Sequence, residues 1–168
     1  KLIFGSDPAF AKAQSLLAAI DHASKALRMN ADNVGATMYA GPGAGAKPTS
    51  NSVLSDIIDI ATGKIFDYQK FVESPLASSF ENFSCDHYLR FIVSDEPGVV
   101  AKISTVLAAN NLSIDNLIQN ELDREDDAIP LVIVISNAKE KIMQNTISDL
   151  QKLPEVKNSI SHIRILDI

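Results

Sequence analysis

The stretch HYLRFIVSDEPGVVAKISTVLAAN, residues 87–110, decides the fold of the second half of the chain. Residues 87–93 are rich in β-branched and aromatic side chains, as strands are, and residues 95–98 (DEPG) have the composition of a turn. After the turn, apolar residues recur at helical spacing, at Val99, Val100, Ile103, Val106 and Leu107. The stretch therefore predicts a strand, a turn and a helix in that order.

The residues that follow complete a regular pattern. Residues 112–120 and 129–136 are typical of strands, residues 138–153 of an amphipathic helix, and residues 156–166 of a last strand, while the acidic run 123–127 predicts a solvated turn. The order βαββαβ predicts a ferredoxin-like α+β domain, in which an antiparallel sheet carries both helices on one face.

The first half of the chain is less regular. Residues 1–30 carry apolar side chains at helical spacing, and Ser6-Asp7-Pro8 suits a helix start, so a helix is predicted there. Residues 64–85 are rich in polar residues and contain proline, which indicates a linker, although five aromatic residues indicate that this linker lies against another surface.

A glycine-rich run, GPGAGAKPT, occupies residues 41–49 between a predicted strand (34–40) and a helix that is predicted to begin at Thr49 or Ser50 and to end at Gly63. A loop of this kind offers backbone N–H groups and the positive end of a helix dipole to an anion or a cofactor. A tight strand-to-helix turn explains the pattern equally well. Lys47 is followed by proline, which argues against a nucleoside triphosphate site. No second strand with a ribose-binding acid follows, so the loop is interpreted as the closing piece of a larger enzyme.

The turn at 95–98 also has a binding interpretation. The N–H groups of Gly98 and Val99 suit a small carboxylate, and Asp95 could accept an α-ammonium group, so together they could hold a free amino acid. On physical grounds alone, an ordinary β-turn with proline at its second or third position is favoured.

Composition excludes several classes of function. A net charge of −6 and a pI near 5.0 argue against nucleic-acid binding, and no apolar run approaches the roughly 20 residues of a membrane helix. The single cysteine, Cys85, excludes an internal disulfide and indicates a cytoplasmic setting. The three histidines, His22, His87 and His162, show no metal-ligand spacing, so no metal is expected and exposed or hydrogen-bonded structural roles are favoured.

Two long strings of residues resemble known families. Residues 33–39, 41–45 and 48–57 together resemble the end of the catalytic part of bacterial homoserine dehydrogenases, and residues 88–119, with DEPGVVA at 95–101, resemble an ACT domain. The resemblance implies three parts: residues 1–63 as the C-terminal fragment of the catalytic and nucleotide-binding region of an α/β dehydrogenase, expected to be mostly helical, residues 64–85 as a linker, and residues 86–168 as a regulatory ACT domain.

The family resemblance implies an activity that this stretch alone should lack. Homoserine dehydrogenases interconvert aspartate semialdehyde and homoserine with NAD(P), and their catalytic residues are expected upstream of Lys1. No catalytic residue is therefore assigned, and no tight cofactor binding is expected from this stretch alone. By matching the motif, Gly43, Ala44 and Gly45 would contact the cofactor, and Thr49 would help to cap the next helix.

ACT domains pair side by side and bind amino-acid effectors at the shared interface. The resemblance implies a homodimer whose effector is threonine, bound near Asp95, Gly98 and Val99, with Ser113 and Gln119 lining the site. Two alternatives stay open: a stand-alone amino-acid-binding module without catalysis, and an aspartokinase regulatory tail. Neither of these explains the glycine-rich run. The choice between NAD and NADP, and the identity of the effector, are not decided by the residues.

Overall fold

The computed structural model describes residues 9–64, 79–119 and 128–166, and the structural statements below concern these residues. They form seven strands and three α-helices: β1 (Ala9–Ala11), β2 (Ser24–Ala31), β3 (Gly35–Pro42), α1 (Ala46–Ala61), β4 (Ser84–Ser94), α2 (Val99–Ala109), β5 (Ile114–Gln119), β6 (Ala128–Lys139), α3 (Glu140–Leu150) and β7 (Ser161–Leu166). Two short 3-10 helices lie at Leu16–Ala19 and Phe80–Asn82. None of the described helices has the length and apolar character required to cross a membrane.

The chain forms two compact units. Residues 9–12 and 79–166 belong to the larger unit, and residues 13–64 belong to the smaller one. The larger unit is built on a five-stranded sheet in the order β1-β7-β4-β6-β5, in which β1 pairs parallel with β7 and all other neighbours are antiparallel. The predicted ferredoxin-like α+β plan is confirmed. The added edge strand β1 was not predicted.

The core of the larger unit lies between the sheet and its two long helices. Along β4, alternate residues Leu89, Phe91 and Val93 are almost fully buried, because successive side chains of a strand point to opposite faces. The corresponding positions of β6, α2 and α3 complete this core with Ile129, Leu131, Ile133, Ile135, Val99, Ile103, Leu107, Met143 and Leu150. The apolar residues that recur at strand spacing and those that recur at helix spacing therefore pack together on one face of the sheet.

The smaller unit has a different character. A hairpin pairs all eight residues of β2 with β3, and helix α1 follows it directly. No residue of α1 is buried, and large apolar side chains of this unit remain exposed, among them Leu27, Met29, Tyr39, Val53, Leu54, Ile57, Ile58 and Ile60. Within the described residues, this unit has no apolar core of its own.

The helix predicted for the first thirty residues is wrong. Over residues 9–30 the structure has β1, a single 3-10 turn and most of β2, so the helical character predicted for residues 1–63 is confined mainly to α1. Leu27, which fitted the helical spacing, lies opposite Tyr39 in the hairpin. Pairing with a distant strand overrides local spacing here, and such a partner is not visible in a short window of sequence.

Other boundaries shift by a few residues. Helix α1 begins at Ala46 after an N-cap at Gly45, so Thr49 lies inside the helix and its predicted capping role is wrong; its N–H donates to the Gly45 carbonyl at 3.1 Å. The last strand begins at Ser161, because Val156 makes only an isolated bridge to Val93. The acidic run 123–127 and residues 65–78 of the predicted linker lie outside the described residues.

The core becomes polar near the start of β4. His87 takes an inner-face position there and is fully buried, and Glu140, the first residue of α3, is 4% exposed. Arg164 donates from Nε to Glu140 Oε2 at 2.8 Å and from Nη2 to Oε1 at 2.7 Å. Nδ1 of His87 lies 2.8 Å from Nε2 of His162. We call His87, Glu140, His162 and Arg164 the polar cluster.

Burial and hydrogen bonding set the charges of the polar cluster. Burial lowers the pKa of His87, because a charged imidazole would lose its hydration, and a hydrogen bond to the Ala138 carbonyl only partly opposes this. Burial alone would raise the pKa of Glu140, but hydrogen bonds from Arg164 and Gln144 outweigh it and hold that pKa below its usual value. The folded state therefore favours a neutral His87 and an ionised Glu140.

We expect acid to destabilise the fold through these two groups. Both have folded-state pKa values below their unfolded values, so the unfolded chain binds more protons as the pH falls and stability is lost. In urea titrations with EDTA present, the free energy of unfolding should begin to fall near about pH 6.5, with His87 contributing at most roughly 1.4 kcal/mol per pH unit, and fall again near about pH 4.

The exposed His22 provides the control for this measurement. The variant His22→Gln should keep the same pH dependence, because its imidazole lies on the surface of the smaller unit. A free energy of unfolding that stays constant between about pH 7 and pH 5 would contradict the assignment of a buried, neutral His87.

Candidate functional site

The glycine loop is short and its geometry explains two of its glycines. Strand β3 ends at Pro42 and α1 begins at Ala46, so the loop consists of Gly43, Ala44 and Gly45. Gly45 has φ 120°, a conformation that L residues rarely adopt. A Cβ atom at position 43 would lie 2.3 Å from Cγ of Lys25, so the Lys25 stem closes over this position. The three predicted cofactor residues therefore lie together, at the start of a helix.

The first turn of α1 can interact with an anion. It contains no acidic residue, and no side chain hydrogen-bonds to the helix start at Gly45. The first N–H groups of a helix have no partner within the helix, and the helix dipole adds positive potential at this end. Pro48 lacks an N–H, so any such donors come from the residues before it. The geometry is compatible with the cofactor contact that the sequence predicts, and equally with a plain turn.

The turn between β4 and α2 forms the second candidate site. Asp95, Glu96, Pro97 and Gly98 are all exposed, and Gly98 has φ 93° and ψ −7° at the N-cap of α2. Proline followed by a glycine with positive φ is typical of a type II turn, which the hydrogen bond from Val99 N–H to the Glu96 carbonyl closes at 3.4 Å. Val99 is 4% exposed, so its side chain belongs to the core and only its backbone borders the turn.

A charged pair stands close to this turn in the fold, and the sequence did not reveal it. Lys102 of α2 donates from Nζ to Oε1 of Glu155, and the Glu155 carbonyl accepts a hydrogen bond from Ser94 N–H at 2.9 Å, at the end of β4. The hydrogen bond between the two side chains raises the pKa of Lys102 and lowers the pKa of Glu155. Fifty-three residues separate the partners, so no local spacing could indicate the pair.

The other two predicted effector residues lie on the edge of the sheet. Ser113 immediately precedes β5, and Gln119 ends it; both are exposed. Ile114, next to Ser113, is in register with Ile135 of β6, which is in register with His87 of β4. Asp95 lies eight residues beyond His87 along β4, so Ser113 and Asp95 are roughly 25 Å apart along the strand direction. One copy of the chain does not bring these two residues together.

Cys85 and the histidines complete the set of candidate residues. Burial is the main cause that raises the pKa of the Cys85 thiol to about 11, so this thiol is protonated at neutral pH, as expected for an unreactive cysteine. His22 is exposed in the smaller unit, whereas His87 and His162 are hydrogen-bonded to each other. Seventy-five residues separate the two partners, so their spacing in sequence gave no signal.

Comparison with known families and proteins accounts for both halves of the chain. The ACT domain profile matches residues 87–155, and the homoserine dehydrogenase profile matches residues 4–58. The homoserine dehydrogenase of Helicobacter pylori is 34% identical over 161 residues, which cover 94% of this chain and 38% of that protein. That of Neisseria gonorrhoeae is 36% identical over 160 residues, which cover 89% of this chain and 37% of that protein. The chain thus spans less than two fifths of the length of these curated relatives.

Solved structures agree with these matches. A crystal structure of a homoserine dehydrogenase from Thiobacillus denitrificans superposes on 95% of this chain with a TM-score of 0.77 and 27% sequence identity, and the match covers 38% of that chain. A homoserine dehydrogenase from Staphylococcus aureus, 19% identical with a TM-score of 0.55, supports the fold alone. With the two profile matches in chain order and relatives that cover nearly all of it, the chain belongs to the homoserine dehydrogenase family and corresponds to the C-terminal, ACT-bearing region of its members.

Proposed function

We propose that the whole protein interconverts aspartate semialdehyde and homoserine with NAD(P) in the cytoplasm, and that the ACT domain in this chain adjusts that activity in response to threonine. In this proposal, residues 1–63 complete the catalytic region, residues 64–85 link it to the ACT domain, and residues 86–168 form the ACT domain that regulates the enzyme. The observation that carries the proposal is the glycine loop at the start of α1, which occurs in the same chain as a complete ferredoxin-like ACT fold. An amino-acid-binding module without catalytic activity would not require this glycine loop.

The exposed apolar surface of the smaller unit supports the same proposal. Helix α1 exposes a row of side chains that would be buried in a complete domain, including Val53, Ile57 and Ile60. Each large apolar side chain gains about 1.5–3 kcal/mol when it is fully buried, so such a surface is unfavourable in water. The remaining part of the catalytic region is the covering partner that we propose, and it also supplies the catalytic residues.

The sheet edges support a dimer. The described sheet has two edge strands: β1, of only three residues, which pairs with β7 on its inner side, and β5, of six residues, where Leu117 and Ile118 are 37% and 54% exposed. A very short edge strand offers little backbone to a partner, so β5 is the better candidate. An open edge with apolar side chains is a surface on which a second strand can pair. We propose that β5 pairs antiparallel with β5 of a second copy, to give one continuous sheet.

This pairing would also complete the effector site. Antiparallel pairing brings the start of one β5 beside the end of the other. The end of β5 lies towards the same end of the sheet as Asp95. Ser113 of the second copy would then stand beside Gln119, on the side of the sheet where Asp95 and Gly98 form the turn. We propose that the turn binds the carboxylate and the ammonium group of threonine, while Ser113 of the second copy binds the hydroxyl.

The cofactor role is tested at Gly45. In the full-length enzyme, Gly45→Ala should raise KM for the cofactor by about tenfold or more, because alanine is strained at φ 120°. Gly41→Ala is the matched control: Gly41 has no positive φ, and an added Cβ meets no atom within 4 Å. Steady-state kinetics with both variants measures the effect. Equal KM values for the two variants would contradict a cofactor contact at this loop.

The effector role is tested by calorimetric titration with threonine, with isoleucine, methionine and lysine as controls. Of these four amino acids, only threonine should bind. The variant Asp95→Asn should weaken threonine binding by roughly 10–100-fold, because it removes a hydrogen bond between charged groups. Asp56→Asn, an exposed carboxylate on α1, should leave binding unchanged. If a different amino acid binds, that amino acid and not threonine is the effector. If none of the four binds, the effector proposal is wrong and the ACT fold serves as a dimerisation element.

The dimer is tested at the open edge. Ile118→Lys places a charge on β5 and should convert the dimer to monomer in sedimentation equilibrium, because a charged edge opposes strand pairing. Ala9→Lys, on the three-residue edge strand β1, is the matched control and should remain dimeric. If Ile118→Lys also remains a dimer, the subunits do not pair through β5.

A further inference from the structure

The polar cluster lies at the opposite end of β4 from the turn at residues 95–98, and the proposed function does not use it. Its two imidazoles and one carboxylate come from three different elements: His87 from β4, Glu140 from α3 and His162 from β7. One ligand atom from each of these residues lies within 4.8 Å of the other two. His87 and Glu140 are buried and His162 is half-buried, so His162 is the most exposed of these three residues.

Hydrogen bonds fix the state of His87. Its Nε2 lies 3.0 Å from the Ala138 carbonyl oxygen, which can only accept, so Nε2 carries the hydrogen. Nδ1 therefore keeps its lone pair, and this lone pair accepts the hydrogen of His162 Nε2 at 2.8 Å in the metal-free chain. To bind a metal through Nε2, His162 would change to the tautomer that carries its hydrogen on Nδ1. An imidazole that donates from one nitrogen to a backbone carbonyl and presents the lone pair of the other is the usual arrangement of a metal-binding histidine.

Glu140 is held as an ionised ligand with one acceptor position left. Oε1 accepts hydrogen bonds from Arg164 Nη2 and Gln144 Nε2, both at 2.7 Å, and Oε2 accepts one from Arg164 Nε at 2.8 Å. A carboxylate has about four acceptor positions, so one on Oε2 remains. Arg164 has two opposed effects: it orients the carboxylate and keeps it charged, but its own positive charge weakens the attraction for a cation.

We propose that His87 Nδ1, His162 Nε2 and Glu140 Oε2 form a binding site for one Zn²⁺ ion. Two imidazoles and a carboxylate are a ligand set that zinc uses, with water in the fourth position. Zinc holds its nitrogen ligands at about 2.0–2.1 Å, which places two of them roughly 3.3 Å apart in a tetrahedral site. The His87–His162 pair would open by about half an ångström from 2.8 Å, a movement that the half-buried His162 can make.

A metal here would add a cross-link between three elements that already meet through strand pairing, the apolar core and the Arg164–Glu140 ion pair. It would tie the start of β4 to β7 and to the first residue of α3. An ion that binds only the folded state stabilises it according to its free concentration, so zinc should raise the unfolding temperature of the chain. This role does not depend on the proposed enzymatic activity or on threonine.

The test is a titration of the EDTA-treated chain with Co²⁺, followed by visible absorption, and with Zn²⁺ in competition with a chromogenic chelator. We expect one ion per chain and tetrahedral Co²⁺ bands. The variant His162→Gln keeps an amide that can donate to His87 Nδ1 but removes the ligand, and should weaken binding by at least about tenfold. The matched control His22→Gln should bind the metal with an affinity within about twofold of that of the unchanged chain, because His22 is not part of the proposed site. Residues that do belong to a metal site, even those around the ligands, change the affinity by about 10-fold or more when they are substituted.

A second variant keeps the test decisive if His162→Gln does not fold. Gln144→Ala removes a hydrogen bond to Glu140 without touching any ligand, and should weaken binding by roughly tenfold while circular dichroism stays unchanged. Equal affinity in the unchanged chain, His162→Gln and Gln144→Ala would overturn the proposal. So would the absence of Co²⁺ bands with metal in excess, or loss of binding in His22→Gln, which would place the ion on the surface of the smaller unit.

Discussion

The larger unit depends on the pairing of β4 along both of its edges. This strand is in register with β6 on one side and β7 on the other, so its inner face is fixed by two independent sets of backbone hydrogen bonds. A slip of one residue would turn Leu89, Phe91 and Val93 outwards and bring charged Arg90 into the core. The apolar core and the chemistry at both ends of β4 follow from this single register.

The two ends of β4 differ in kind. At its C-terminal end the chain leaves the sheet through an exposed turn, where Gly98 starts α2 and backbone groups face solvent. At its N-terminal end, His87 is buried and both of its ring nitrogens have hydrogen-bond partners, His162 and the Ala138 carbonyl. The first end is suited to a ligand that arrives from solvent, and the second to a group that stays fixed.

How much the sequence could predict depends on where each element finds its partners. The βαββαβ order was predictable because residues 129–135 of β6 form a continuous apolar run of strand length, and because α2 carries a strong period of 3.6 residues in its own sequence. Strand β2 was mistaken for helix because its pairing with β3, rather than its own spacing, decides its conformation. The contacts of His162 with His87, and of Lys102 with Glu155, join residues more than fifty positions apart. Only the folded sheet brings these residues together.

The candidate effector site shows the same limit at the level of the assembly. Its residues were predicted as one group, and Gly98 starts α2 at an exposed turn as the sequence predicted, but the Val99 N–H that was predicted to meet a carboxylate donates to the Glu96 carbonyl and closes the turn instead. The register then separates Ser113 from that turn by most of the length of β4. A site whose two halves lie at opposite ends of one sheet cannot be completed within a single copy, whereas an antiparallel partner at an open edge reverses the direction of β5. The other described edge strand, β1, has only three residues, so β5 is the longer edge at which such a partner could add, and in the proposed dimer effector binding and subunit pairing would depend on the same strand.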